Sequence, residues 1–66
     1  MKITVNGEGM DLTDASTVAN LVAALGCGTR GVAVAVNFEV VRRADWPDVQ
    51  LAAGDEVEVL HAVAGG

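Results

Sequence analysis

The chain of 66 residues is long enough for one small domain and too short for two hydrophobic cores. Its composition, 52% hydrophobic and 20% charged residues, is typical of a chain that folds. Nine acidic residues against four basic ones give a net charge of −5, which disfavours nucleic acid and anionic membranes and favours a basic protein partner.

The first twelve residues of the chain predict a β-hairpin. Ile3 and Val5 alternate with polar residues, which is typical of a half-buried strand. Asn6-Gly7 is a preferred two-residue hairpin turn, because both residues tolerate positive φ. A second strand is predicted through Met10-Asp11-Leu12.

A helix is predicted next, because the apolar spacing changes from two to three or four residues. The apolar stripe consists of Val18, Leu21, Val22 and Leu25. Ser16 or Thr17 is the expected N-cap, with Asn20 in the place where a capping box prefers Glu or Gln. The helix is expected to end at Gly26 or Gly28.

The second half of the chain predicts three further strands and one irregular link. Val32–Val36 is predicted to be a covered interior strand and Glu39–Arg42 an edge strand. Because a tight turn prefers Gly where Phe38 stands, the loop between them is expected to be wider than two residues. Trp46-Pro47 predicts an extended Trp46 and an irregular link, and Glu56–Leu60 is the last predicted strand.

This order of elements indicates an α+β fold, with one main helix packed across a mixed sheet of four to five strands. Ubiquitin and its relatives have this β-grasp arrangement. We expect residues 1–61 to form the β-grasp domain and residues 62–66 to be a flexible tail that ends in Gly-Gly.

Residues that support catalysis or metal binding are scarce. Cys27 is the only thiol and His61 the only histidine, whereas zinc prefers about four ligands, so no metal site is predicted. Cys27 follows a predicted helix C-terminus, whose dipole disfavours a thiolate. We therefore predict no catalytic residue, no bound cofactor and no stand-alone enzyme, with a Cys27–His61 enzyme kept as an alternative.

The single cysteine also bears on the location of the protein. Cys27 cannot form an internal disulfide, whereas small secreted domains usually contain several, so we expect a cytoplasmic location. The first residues lack the pattern of a signal peptide. No segment reaches the ~18 apolar residues of a membrane span.

Gly65-Gly66 closes the sequence with an α-carboxylate, which is either an incidental frayed end or the working group. A partner's narrow channel can close around glycine, which has no Cβ. Five extended residues from Ala62 span roughly 17 Å, enough to enter another protein's active site. We predict that Gly66 is the reactive residue, on a tail formed with Val63, Ala64 and Gly65.

The parity of the last strand predicts a docking surface. If Val57 and Val59 face the helix, then Glu56, Glu58 and Leu60 lie on the open face of the sheet. Leu60 and Glu58 are therefore the candidate docking residues, beside Val63 of the tail, with a lone surface leucine as the alternative.

Short motifs along the whole chain together match one family pattern. They are Met1-Lys2-Ile3, Asn6-Gly7, Thr17-Val18-Ala19, Leu21, Ala24-Leu25-Gly26, Gly31 to Asn37, Glu39-Val40-Val41, Arg43, Trp46, Leu51, Gly54-Asp55, Val57-Glu58, Ala62-Val63 and Gly65-Gly66. In their order and spacing the chain resembles the ThiS family of sulfur carriers in thiamin thiazole biosynthesis. The chain departs from the family pattern at Asn20, Phe38 and Arg42.

The resemblance implies a mechanism in which Gly66 is substrate and carrier. A ThiF-like enzyme would adenylate its carboxylate with ATP, and a persulfide donor would convert it to a thiocarboxylate. The sulfur would then pass to the thiazole synthase ThiG.

Val63–Gly66 also matches the ending of MoaD, the small subunit of molybdopterin synthase. A carrier for molybdopterin or tRNA thiolation, or a ubiquitin-like modifier, therefore remains an alternative. A β-grasp binding module with an incidental diglycine is an alternative of another class.

Overall fold

A computed structural model describes residues 1–26, 28 and 30–61. The strands are β1 (Lys2–Val5), β2 (Glu8–Asp11), β3 (Val32–Val36), β4 (Glu39–Val41) and β5 (Glu56–His61). The helix α1 spans Val18–Leu25, and a 3₁₀ helix spans Arg43–Asp48.

The five strands form one mixed sheet in the order β2-β1-β5-β3-β4. The strand β1 is antiparallel to β2 and parallel to β5, and β3 is antiparallel to both β5 and β4. The strand β5 therefore lies at the centre of the sheet, as in a β-grasp fold, which confirms the predicted fold class.

The helix α1 covers one face of this sheet. Its buried residues pack with one face of β1, β3 and β5, and the core consists of Ile3, Val5, Val18, Leu21, Val22, Val34, Trp46, Leu51 and Val57. Leu25, the last member of the predicted stripe, is also the last residue of the helix and is 38% exposed.

Both ends of α1 follow from local chemistry. Thr17 is the N-cap, and its hydroxyl accepts a hydrogen bond from the Asn20 N–H at 3.1 Å. The Thr17 N–H donates in return to Asn20 Oδ1 at 2.8 Å, so Asn20 completes the capping box despite its short side chain. Gly26, at φ 68°, is the left-handed C-cap.

Two predictions about the second half of the chain are wrong. Asn37 and Phe38 form a two-residue turn, since Val36 pairs with Glu39 directly across it. Trp46 is not extended but lies within the 3₁₀ helix. Its indole is buried and donates to the Val41 carbonyl at 3.0 Å, an anchor that overrides the local preference of a residue before proline.

Candidate functional site

The residues predicted to form the site fall into two groups. Leu60 and Glu58 lie on β5, near the end of the described domain. Gly66, the predicted reactive residue, and the predicted tail residues Val63, Ala64 and Gly65 lie outside the described residues. The describable part of the predicted site is therefore the face of the sheet around the last residues of β5.

The alternation of β5 places Leu60 and Glu58 on the face opposite the helix. Val57 is buried against α1 and Val59 is partly buried on the same side. Glu56, Glu58 and Leu60 are exposed, and Leu60 keeps 62% of its surface accessible. The predicted parity is confirmed, because one face of the strand is committed to the core.

Strand pairing adds small and apolar neighbours to Leu60 on this open face. Ala33 pairs with Leu60, Ala35 pairs with Glu58, and Val40 of β4 pairs with Ala35. Val40 is 78% exposed. We call Leu60, Ala33, Ala35, Val40 and the adjacent Glu58 the open-face patch.

Val40 is not among the docking residues that the sequence predicts. Val40 and Val41 are adjacent, so in a strand one of them must point away from the core. Choosing between them requires the register Val34–Val41 and Ala35–Val40, which only the assembled sheet supplies. The sequence alone indicates only that one of these two valines of an edge strand is exposed.

The charge around the open-face patch is mostly negative. Glu56 lies beside Glu58 on the same face, and its neighbour in β1 is Thr4. On the outer strands the same face carries Asp11, paired with Lys2. An apolar patch with carboxylates in and around it fits a partner surface that combines an apolar contact with basic side chains.

Two asparagine side chains hold β5 at its two ends. Asn6, in the β1–β2 turn, accepts from the Val59 N–H at 2.9 Å and donates to the Val59 carbonyl at 3.1 Å. Asn37, in the β3–β4 turn, accepts from the Glu56 N–H at 3.0 Å and donates to Asp55 at 3.0 Å. The strand β5 is thus held by side chains from both hairpin turns.

The alternative enzyme site is only half described. His61 is the exposed last residue of β5, and Cys27 lies outside the described residues, so their separation stays untested. Within residues 1–26, 28 and 30–61, no group of three His, Cys, Asp or Glu side chains is arranged to hold a metal ion. No helix in that part of the chain is long and apolar enough to cross a membrane.

The topology and the single crossing helix define the class of this protein as a β-grasp domain. A family model described as the ThiS family matches residues 3–66. The chain therefore belongs to the ThiS family, which confirms the resemblance seen in its sequence.

Individual relatives agree with this assignment. The sulfur carrier protein ThiS of Escherichia coli is 30% identical over 66 residues, which is the full length of both chains. The crystal structure of the thiamine biosynthesis protein ThiS from Geobacter metallireducens has a TM-score of 0.84 and 32% identity, again with full coverage of both chains.

A third relative is a longer protein. A thiazole synthase of Paramagnetospirillum magneticum is 35% identical over 66 residues, which is 100% of this chain and 20% of that protein. The chain thus spans a fifth of the length of the synthase that it matches.

Proposed function

We propose that this protein is a sulfur carrier of thiamin biosynthesis whose reactive group is the α-carboxylate of Gly66. The observation that carries the proposal is the alignment, over the full length of both chains, with the sulfur carrier ThiS of Escherichia coli. The ThiS family model also extends through Gly66.

The proposed chemistry begins with activation, because a carboxylate is a poor electrophile. A ThiF-like enzyme transfers AMP from ATP to the Gly66 carboxylate and releases pyrophosphate. The terminal sulfur of a persulfide on the donor protein then attacks the acyl carbon, and AMP leaves. A second thiol reduces the resulting acyl disulfide, which leaves a thiocarboxylate on Gly66 and a disulfide on the donor.

The thiocarboxylate sulfur is a nucleophile at neutral pH, and we propose that a thiazole synthase of the ThiG type receives it. The alignment of this whole chain with one fifth of a thiazole synthase supports that acceptor. In this scheme the chain supplies the tail and the docking surface, and the enzymes supply the catalytic residues and the ATP site.

We assign docking to the open-face patch. Leu60 and Val40 are both largely exposed on the same face of the sheet. Ala33 and Ala35 of β3 lie between their strands, and Glu58 is next to Leu60 on that face of β5. Leu60 is also only two residues before residue 62, the first residue of the tail. A partner bound at this patch is therefore close to the point from which Gly65 and Gly66 must reach its active site.

The docking assignment is tested by ATP–pyrophosphate exchange catalysed by a ThiF-like enzyme at increasing carrier concentrations. Leu60→Asp should raise the KM for the carrier about tenfold or more, because it places a charge against an apolar contact. The matched control Ala24→Asp adds the same charge on an exposed position of α1 and should leave the KM unchanged. Equal KM values for Leu60→Asp and wild type would remove Leu60 from the site.

Gly66→Ala tests the reactive residue in the same assay. A methyl group at the last position crowds the channel that a glycine tail requires, so exchange should be lost while the circular dichroism spectrum is unchanged. An unaltered exchange rate would contradict the role given to Gly66. Covalent conjugates to lysine in place of a thiocarboxylate would favour the ubiquitin-like modifier.

A further inference from the structure

The end of β5 has a complete strand neighbour on only one side. On the β3 side the pairing continues from Val57 to His61. On the β1 side the strand register stops at the Val5–Val57 pair, because β1 turns away at Asn6. The backbone of Val59 would therefore lack a strand partner on that side.

The carboxamide of Asn6 occupies the missing place in the ladder. The backbone N–H of Asn6 donates to the Val57 carbonyl at 2.9 Å, in continuation of the β1–β5 pairing. The side chain then accepts from the Val59 N–H at 2.9 Å and donates to the Val59 carbonyl at 3.1 Å. One side-chain amide thus makes the two hydrogen bonds to Val59 that a continued β1 would make through two successive peptide groups.

This contact lies beside the residues assigned to docking and delivery. Val59 immediately precedes Leu60 of the open-face patch, and His61 is the last described residue before the tail. A strand end held on one side opens locally more readily than one held on both sides, since fewer hydrogen bonds must break. The Asn6 carboxamide therefore opposes fraying at the point where the domain meets its tail.

We propose that Asn6 is a positioning residue for the carrier reaction. Its carboxamide fixes the last residues of β5, so that Leu60 and His61, which precede the proposed tail, keep a constant place relative to the docked partner. This inference rests on the proposed function, because it assigns Asn6 a role in presenting Gly66.

Asn37 provides a matched control within the same chain. It occupies the corresponding place in the other two-residue turn, with φ 50° against 51° for Asn6. Its carboxamide also accepts from a β5 amide, but from Glu56 at the start of the strand. Removing it costs a similar contact far from the tail.

Amide hydrogen exchange followed by NMR tests the structural half of the inference. Asn6→Gly keeps a residue suited to positive φ but loses the carboxamide, so the Val59 amide should exchange about tenfold faster relative to the Ile3 amide. Asn6→Asp keeps the acceptor for the Val59 N–H but loses the donor to the Val59 carbonyl, so the Val59 amide should exchange more slowly than in Asn6→Gly. Asn37→Gly should expose the Glu56 amide and leave Val59 unchanged.

Equal exchange rates of the Val59 amide in wild type and Asn6→Gly would contradict the proposal that the Asn6 carboxamide holds the end of β5. So would equal acceleration at Val59 in Asn6→Gly and Asn37→Gly, since that would indicate a general loss of stability.

The ATP–pyrophosphate exchange assay tests the functional half. Asn6→Gly should lower kcat/KM for the carrier about fivefold, whereas Asn37→Gly should match wild type. If kcat/KM is unchanged in Asn6→Gly while the Val59 amide exchanges fast, Asn6 holds the end of β5 but does not position it for the reaction, and the proposed role is wrong. If wild type itself supports no ATP–pyrophosphate exchange, the proposed function fails. The NMR result still decides whether the Asn6 carboxamide holds the end of β5.

Discussion

The two hairpin turns of the sheet have the same backbone form and different residues. Asn6 and Gly7 have φ values of 51° and 84°, and Asn37 and Phe38 have 50° and 70°. Each turn begins with an asparagine whose carboxamide bonds to β5. The second residue is glycine in one turn and an 80% exposed phenylalanine in the other.

The difference shows that turn type is not set by the turn residues alone. A left-handed φ strains any residue with a Cβ, so local preference argues against Phe38 at this position. The pairing of β3 with β4 and the bonds from Asn37 to Glu56 and Asp55 hold the tight turn in spite of that strain. We expect the two turns to respond in opposite ways to substitution.

The largest effect is expected for Asn37→Asp. Asn37 Nδ2 donates to Asp55 Oδ1 at 3.0 Å, and a carboxylate in its place would set two negative charges against each other. The free energy of unfolding should fall by about 2 kcal/mol in urea denaturation. Asn6→Asp is the control: it also loses a donor, to the Val59 carbonyl, but it sets no second carboxylate against the new one, so its loss should be smaller. Equal losses in both variants would contradict this account of Asn37.

A smaller loss is expected for Gly7→Ala. No atom lies within 4 Å of a Cβ built on Gly7, so any cost comes from the backbone at φ 84° and not from a clash. Stability should fall by about 1 kcal/mol, measured by the same denaturation. A variant as stable as wild type would show that this turn tolerates a Cβ without strain.

The smallest effect, and the opposite sign, is expected for Phe38→Gly. Glycine relieves the strained φ of 70° but adds freedom to the unfolded chain, which offsets part of the gain. The net result should be a stabilisation of about 0.5 kcal/mol. A loss of stability would mean that the exposed ring makes a contact that this account omits.

The sequence predicts well those features that depend on neighbouring residues. The stripe of α1, the Thr17 cap and the parity of Leu60 all follow from spacing along one segment, and the structure bears them out.

Features that depend on distant contacts could not be predicted in the same way. The Asn6 carboxamide reaches Val59, 53 positions along the chain, and no local pattern announces such a bond. The exposure of Val40 depends on strand register, and the tight turn at Phe38 depends on Asn37. The role of Gly66 and the cytoplasmic location stay predictions.

The most direct test of the proposed sulfur carrier is the intact mass of the protein after incubation with a ThiF-like enzyme, ATP and a persulfide donor. The account predicts a species in which one oxygen is replaced by one sulfur, and a variant without Gly65 and Gly66 should show no such change. An unchanged mass, with an enzyme proven active on another carrier, would contradict the account and favour a β-grasp binding module.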